Sequence, residues 1–144
     1  KEVSERKIIT FGGAFSNHIA AAAALGNEFG IKTLGVIRGN ELEDSWQENP
    51  TLFSAHQNGM SFRFVTRETY RYKERLMAEL QEEFPESLVV PEGGTNENAV
   101  EGIQYMLTDE TKDFDYICSA VGTGGTVSGL SKFAQPHQKI IGFK

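Results

Sequence analysis

The chain has 144 residues, of which 39% are hydrophobic and 24% charged, and its formal net charge is -6. A chain of that length can bury about 68% of its unfolded surface as one domain, and the composition is that of an ordinary globular protein, with nothing that signals disorder. The acidic balance excludes a general nucleic-acid or anionic-membrane surface, because phosphate backbones attract clustered excess Lys and Arg.

Taken in chain order, strands and helices alternate. Ile8 to Phe11 reads as a short buried strand broken by Gly12 and Gly13, and Ser16 to Phe29 reads as a helix with an alanine run at Ala20 to Ala24. Thr33 to Ile37 is a second strand. Pro50 to Asn58 is a helix with Asn49 as cap and Pro50 in its first turn, closed by Gly59. Ser61 to Val65 is a third strand. Thr66 caps a longer helix on which Tyr72, Leu76, Leu80 and Phe84 recur every fourth residue as one apolar stripe, stopped by Pro85. The basic run from Arg63 to Arg75 is interrupted by Glu68 and Glu74 and reads as a solvated face.

Leu88 to Val90 is a strand, Thr95 or Asn96 starts a helix carrying Val100, Ile103 and Leu107, and Tyr116 to Val121 and Ile140 to Phe143 complete the strands. Alternating helices and apolar strands predict an α/β fold, with parallel sheets flanked by helices in three layers. Cys118 lies in a strand pattern and, as the single cysteine, has no internal disulfide partner, which points to a reducing, cytoplasmic setting. No apolar run reaches the ~20 residues of a membrane helix, and residues 1–7 lack the apolar centre of a signal peptide.

The segment Cys118 to Gly129 carries the strongest chemical signal, because a strand pattern runs into Gly122-Thr123-Gly124-Gly125-Thr126 and then into a helix. Glycines allow close approach of an anion, consecutive N–H groups converge on it, and the helix dipole adds positive potential. A dinucleotide fingerprint starting at Gly122 needs glycine where Val127 stands, and a nucleoside triphosphate loop starting at Gly124 needs Lys where Leu130 stands. The remaining readings are a phosphate monoester cup or a plain strand-to-helix turn.

Two other loops are rich for the carboxyl end of a strand, where ligands gather in such sheets. They are Gly12-Gly13-Ala14-Phe15-Ser16-Asn17-His18 and Glu92-Gly93-Gly94-Thr95-Asn96. Ser16 or Asn17 serves as a helix cap on a structural reading; on a functional one, Ser16, Asn17 and His18 aim polar groups at a carboxylate or phenolate. His56 and His137 have no carboxylate or cysteine at ligand spacing, so no metal site is expected. Ser16 lacks a Gly-x-Ser-x-Gly elbow, which argues against a Ser-His-Asp triad.

Together the three loops resemble the pyridoxal-phosphate enzymes of the tryptophan-synthase-like fold (fold type II), and more narrowly the branch holding 1-aminocyclopropane-1-carboxylate deaminase and D-cysteine desulfhydrase. The likeness runs from Ile8 to Phe143, and the Gly-Gly-x-x-Ser-Asn segment is what narrows the branch. The resemblance implies pyridoxal 5'-phosphate as cofactor, its phosphate held by Gly122, Thr123, Gly124, Gly125 and Thr126 and its phenolic oxygen by Asn17. It further implies a catalytic, substrate-side role for Ser16 and a place beside the substrate carboxylate for Asn17 and His18. Histidine at position 18, where the deaminase proper tends to have glutamine, tilts the expectation toward D-cysteine. Relatives are commonly dimers, so a homodimer is expected.

Phe15 stands where the family often has glutamine. The Schiff-base lysine of the family lies in a Gly-Asn-Lys segment upstream of the first glycine loop, and no such segment occurs in these residues. The expectation is a central fragment of a longer deaminating lyase, with a small α/β domain over residues 8–84 and the opening of the large cofactor domain over 85–144. Alone, it would be inactive and at best a weak cofactor binder. The alternatives are a cysteine synthase or serine/threonine dehydratase of the same superfamily, or a noncatalytic module for a phosphorylated metabolite.

Overall fold

The computed structural model describes residues 6–144, which divide into two compact units at Glu92 and Gly93. The first unit holds a four-stranded sheet built from β1 (Lys7–Gly12), β2 (Lys32–Arg38), β3 (Met60–Val65) and β4 (Leu88–Val90), in the order β3-β2-β1-β4. All three pairings are parallel, with Phe11 opposite Val36, Thr10 opposite Val90 and Val36 opposite Arg63. Strand alternation sends Ile9, Phe11, Leu34 and Val36 to one face and Ile37 and Met60 to the other, so both faces must be covered.

Helices α1 (Asn17–Phe29) and α2 (Pro50–Gln57) cover one face through Ile19, Ala22, Ala23, Leu52 and Ala55. Helices α3 (Arg67–Arg71) and α4 (Lys73–Glu83) cover the other through Tyr70, Leu76 and Leu80, which gives three layers. The alanine run lets α1 lie close to the sheet, and its tightest approach is at Gly26: a Cβ there would meet Thr33 Cγ2 at 2.4 Å. Asn49 opens α2 by accepting hydrogen bonds from Thr51 N and Leu52 N, both at 3.0 Å, as its position before Pro50 predicts.

The helix after Thr66 differs from its sequence pattern. Thr66 does accept from Thr69 N at 3.0 Å, but Tyr72 leaves helical geometry at φ -92° and ψ 53°, splitting the segment into α3 and α4. Tyr72 is therefore 64% exposed, while Tyr70 is buried, its ring edge-on to Phe11 at 6.3 Å. Leu76, Leu80 and Phe84 do pack on this core. Residues 40–48, to which no element was assigned from sequence, form two 3-10 turns that seat Trp46 against His56 and Phe62. Leu88–Val90 pairs with β1, so this strand, placed with the second segment by the sequence boundary at 84/85, closes the first unit's sheet.

The second unit pairs β5 (Tyr116–Ala120) with β6 (Lys139–Phe143) in parallel and packs α5 (Glu97–Gly102) and α6 (Gly125–Phe133) with them. Asn96 caps α5 by accepting from Ala99 N at 2.8 Å; the helix tightens to a 3-10 turn over Ile103–Met106, leaving Leu107 just beyond it. Cys118 is exposed. No helix among the described residues is long and apolar enough to cross a membrane.

Candidate functional site

In the first unit, β1 ends at Gly12 and the chain turns back on itself through a hydrogen bond from Ser16 N to Gly13 O at 3.2 Å. Ser16 sits in extended geometry as the cap of α1, its Oγ accepting from Ile19 N at 3.3 Å. That contact uses an acceptor site of the hydroxyl and leaves its proton to be donated elsewhere. Asn17 opens the helix, exposed, and among the described residues no hydrogen bond engages its amide. Phe15, in the same loop, is 76% exposed.

His18 is tied inward. Its Nε2 lies 2.6 Å from Thr10 Oγ1, and the same hydroxyl donates to Val90 O at 3.0 Å. Thr10 has one proton and a carbonyl can only accept, so the arrangement that satisfies both contacts puts a hydrogen on His18 Nε2 and leaves Nδ1 as acceptor. Burial lowers the imidazole below its ordinary range, against a smaller opposing pull from the Glu92 carboxylate. His18 is thereby held as a neutral ring of fixed tautomer beside Ser16 and Asn17. The first-unit part of the loop 92–96 also enters here: Glu92 pairs with Lys73. Burial pushes the Glu92 carboxyl up, but the Lys73 ammonium, the nearby Tyr70 hydroxyl and the Arg38 guanidinium outweigh it, and the group is held below the usual range.

In the second unit, Val121 N donates to Phe143 O at 2.8 Å and the chain leaves the sheet through Gly122, Thr123 and Gly124 into α6. Gly124 has φ 94°, a left-handed conformation that favours glycine, and it opens α6 without any side-chain cap. The first-turn N–H groups of α6 therefore have no intrahelical partner, and the helix dipole adds roughly half a positive charge at the same point. A Cβ at Gly122 or at Gly124 would meet no atom within 4 Å, so the front of the loop is open. The back is closed: Thr123 Oγ1 lies 2.5 Å from Thr95 Oγ1, and a Cβ on Gly93 would stand 2.6 Å from Thr123 Oγ1. Open space before unpaired N–H groups, with one hydroxyl proton of the Thr95–Thr123 pair left to donate, is a donor set suited to a phosphate ester, so the residues present fit the phosphate of pyridoxal phosphate.

The expected site residues thus form two clusters, Ser16, Asn17 and His18 in the first unit and Gly122, Thr123, Gly124, Gly125 and Thr126 in the second. Thr10, which orients His18, was not singled out from sequence, and Thr95, which faces Thr123, was named only as a helix start within the loop 92–96. Thr10 had a signal, as a polar residue in the middle of an apolar strand. Among the described residues no group of three or more His, Cys, Asp and Glu is placed to hold a metal ion.

No protein-family model matches the chain. It is 31% identical over 94% of its length to a Thermotoga maritima protein that carries the provisional name 1-aminocyclopropane-1-carboxylate deaminase, 46% of which is covered. It is 28% identical over 86% of its length to the mitochondrial bifunctional D-cysteine desulfhydrase/1-aminocyclopropane-1-carboxylate deaminase of Arabidopsis thaliana, 35% of which is covered. The crystal structure of an ACC deaminase homologue superimposes on 90% of the chain with a TM-score of 0.64 and 28% identity, the chain covering 41% of that structure. The chain spans less than half the length of these curated relatives. With glycine and threonine loops that suit a phosphate ester, the chain is similar in sequence and in structure to the 1-aminocyclopropane-1-carboxylate deaminase and D-cysteine desulfhydrase branch of the pyridoxal-phosphate enzymes.

Proposed function

We propose that the full-length protein is a deaminating lyase acting on a small amino acid, with D-cysteine as the preferred substrate and 1-aminocyclopropane-1-carboxylate as the competing one. In this reading the first unit belongs to the small domain and the second opens the larger cofactor domain. Pyridoxal phosphate, when bound, acts as the electron sink that makes bonds at the substrate's α carbon breakable.

The chain's own residues then have distinct tasks. The N–H groups and hydroxyls of 122–126 hold the phosphate and fix the cofactor's position, a contribution of alignment rather than of chemistry. The unengaged Asn17 amide donates to the phenolic oxygen. Ser16 offers its free proton to the substrate, while its oxygen remains bound by Ile19 N. His18 is held against Thr10 and lies next to the substrate carboxylate, where a neutral ring tolerates a range of amino acids without forming a fixed ion pair. D-cysteine and water give pyruvate, sulfide and ammonia; the cyclopropane amino acid and water give 2-oxobutyrate and ammonia.

The observation that carries the reading is the anchored, neutral His18 directly after the free Asn17 amide, because a purely structural helix start requires neither. The deciding experiment offers both substrates separately to the full-length protein reconstituted with pyridoxal phosphate and identifies the keto acid. Pyruvate with sulfide from D-cysteine establishes the desulfhydrase. 2-Oxobutyrate alone moves the assignment to the deaminase, and the absence of both products overturns the proposal.

A further inference from the structure

The run of basic residues at 63–75 does not remain a uniformly solvated face. Arg38, at the end of β2, joins Arg67, Arg71 and Lys73 around an open cleft of about 580 Å³ on the first unit, with Tyr70 in its wall. That volume lies within the range of metabolite pockets. Two of the four positive charges are matched: Arg67 Nη2 donates to Glu41 Oε1 at 2.9 Å, and Lys73 pairs with Glu92. Among the described residues no carboxylate lies within ion-pair range of Arg38 or Arg71. The Arg38 guanidinium faces the Tyr70 ring, its carbon 5.6 Å from the centroid, and one of its nitrogens would stand 3.4 Å from a Cβ on Gly13.

The Tyr70 hydroxyl is the second, independent sign. The residue is 2% exposed, and its oxygen is the one buried side-chain polar atom among the described residues without a hydrogen-bond partner. Leaving such a group unpaired is costly, and an unpaired group in a native fold calls for an explanation. Burial first, and then the charge and the hydrogen-bond pull of the Glu92 carboxylate, push the phenol well up, so it stays a neutral donor at every physiological pH, and Glu92 competes for it with any incoming anion. A buried hydroxyl outside hydrogen-bond geometry, beside two guanidinium groups without an ion-pair partner, leaves donors for an incoming oxyanion, against the charge of the Glu92 carboxylate, which bears on both Tyr70 and Arg38.

We propose that this cleft binds a small dianion, a phosphate ester or a dicarboxylate, through Arg38, Arg71 and the Tyr70 hydroxyl. Neither the 122–126 loop nor Ser16, Asn17 and His18 take part in the proposal, although Arg38 stands beside Gly13 of the first glycine loop. Arg38 and Arg71 supply the charge and the planar donor pairs that match phosphate and carboxylate oxygens. Lys73 and Arg67, already paired, set the positive potential of the wall.

The test titrates the full-length protein, saturated with pyridoxal phosphate, with inorganic phosphate and separately with malonate in a calorimeter. Arg71→Gln, exposed and outside the core, and Tyr70→Phe are compared with Arg75→Gln as control. Binding should weaken about tenfold or more in the first two variants and be unchanged in the third. Phosphate binding alone identifies a phosphate ester, malonate alone a dicarboxylate, and both a general dianion site. If neither anion binds, or both bind Arg71→Gln as tightly as the unaltered protein, the proposal is wrong. Should the protein fail to take up pyridoxal phosphate, malonate binding and its dependence on Arg71 still decide the matter. Tyr70→Phe without ligand should be no less stable, since it removes an unpaired buried hydroxyl; should that variant fail to fold, Arg71→Gln decides alone.

Discussion

His18 Nε2 stands 2.6 Å from Thr10 Oγ1, and Thr10 passes its own proton to Val90 O at 3.0 Å, so strand β1 dictates which nitrogen of the imidazole carries hydrogen. Protonation is left to Nδ1, which lets the ring gain charge without breaking its anchor. The expected pKa lies below the ordinary histidine value because burial disfavours the charged form. Nitrogen chemical shifts followed against pH should show the Nε2–H tautomer at neutrality and a midpoint under 6.5. A midpoint above it would contradict the buried placement.

The same shift has a consequence for stability. The unfolded chain takes up the proton near 6.5 while the folded one resists until lower pH, so His18 makes the fold less stable as pH falls through 6.5, levelling off below the folded pKa. Glu92 is also lowered in the fold, from a carboxylate's 4.5, so its contribution is lost only as pH falls through 4.5 and below. Denaturant melts of His18→Gln should lack the first component and keep the second.

Thr10→Val removes the hydroxyl while nearly preserving volume. His18 Nε2 and Val90 O then lose their partner in a buried strand, at an expected cost of about 1–3 kcal/mol. Chemical denaturation measures it. A cost near zero would mean that water replaces the hydroxyl.

Asn17→Ala should leave stability within about 0.5 kcal/mol, because the amide is exposed and unengaged. Turnover by the full-length protein should fall about ten- to hundredfold, the loss of one hydrogen bond to a charged oxygen. Paired melting curves and steady-state rates check both parts, and unchanged turnover removes Asn17 from the site.

Gly124→Val forces a β-branched residue to φ 94°. The strain should distort the loop and weaken pyridoxal phosphate binding by the full-length protein about tenfold or more, at a fold cost of about 1–3 kcal/mol. Fluorescence titration with the cofactor reads the first number.

Much of the fold was legible because its signals are local. Ser16, Asn49, Thr66 and Asn96 each cap the helix that follows, and the apolar runs before Gly12, Arg38 and Val121 each became strands. The break at Tyr72 was not legible: four-residue spacing puts Tyr72 on the stripe with Leu76, Leu80 and Phe84, and only the tertiary contact with Phe11 brings Tyr70 into the core instead. The cleft was hidden for a related reason. Arg38 and Arg71 are distant in sequence, and only the parallel register of β2 with β3 brings the end of one strand to the helix after the other. The glycine cup was read from composition, whereas its rear wall, Thr95 against Thr123, depends on tertiary contact.

Gly26 gives α1 a further property. A side chain there would collide with Thr33 and with Ile31 O, so the helix is seated on β2 with no room to slide or turn. Ser16 stands ten residues away, roughly 15 Å along the axis at 1.5 Å per residue. The helix is thus a strut bolted at its far end, and the loop it carries inherits that rigidity. On the function proposed here, substrate preference would change by side-chain exchange at positions 15 to 18 and not by relocation of the backbone.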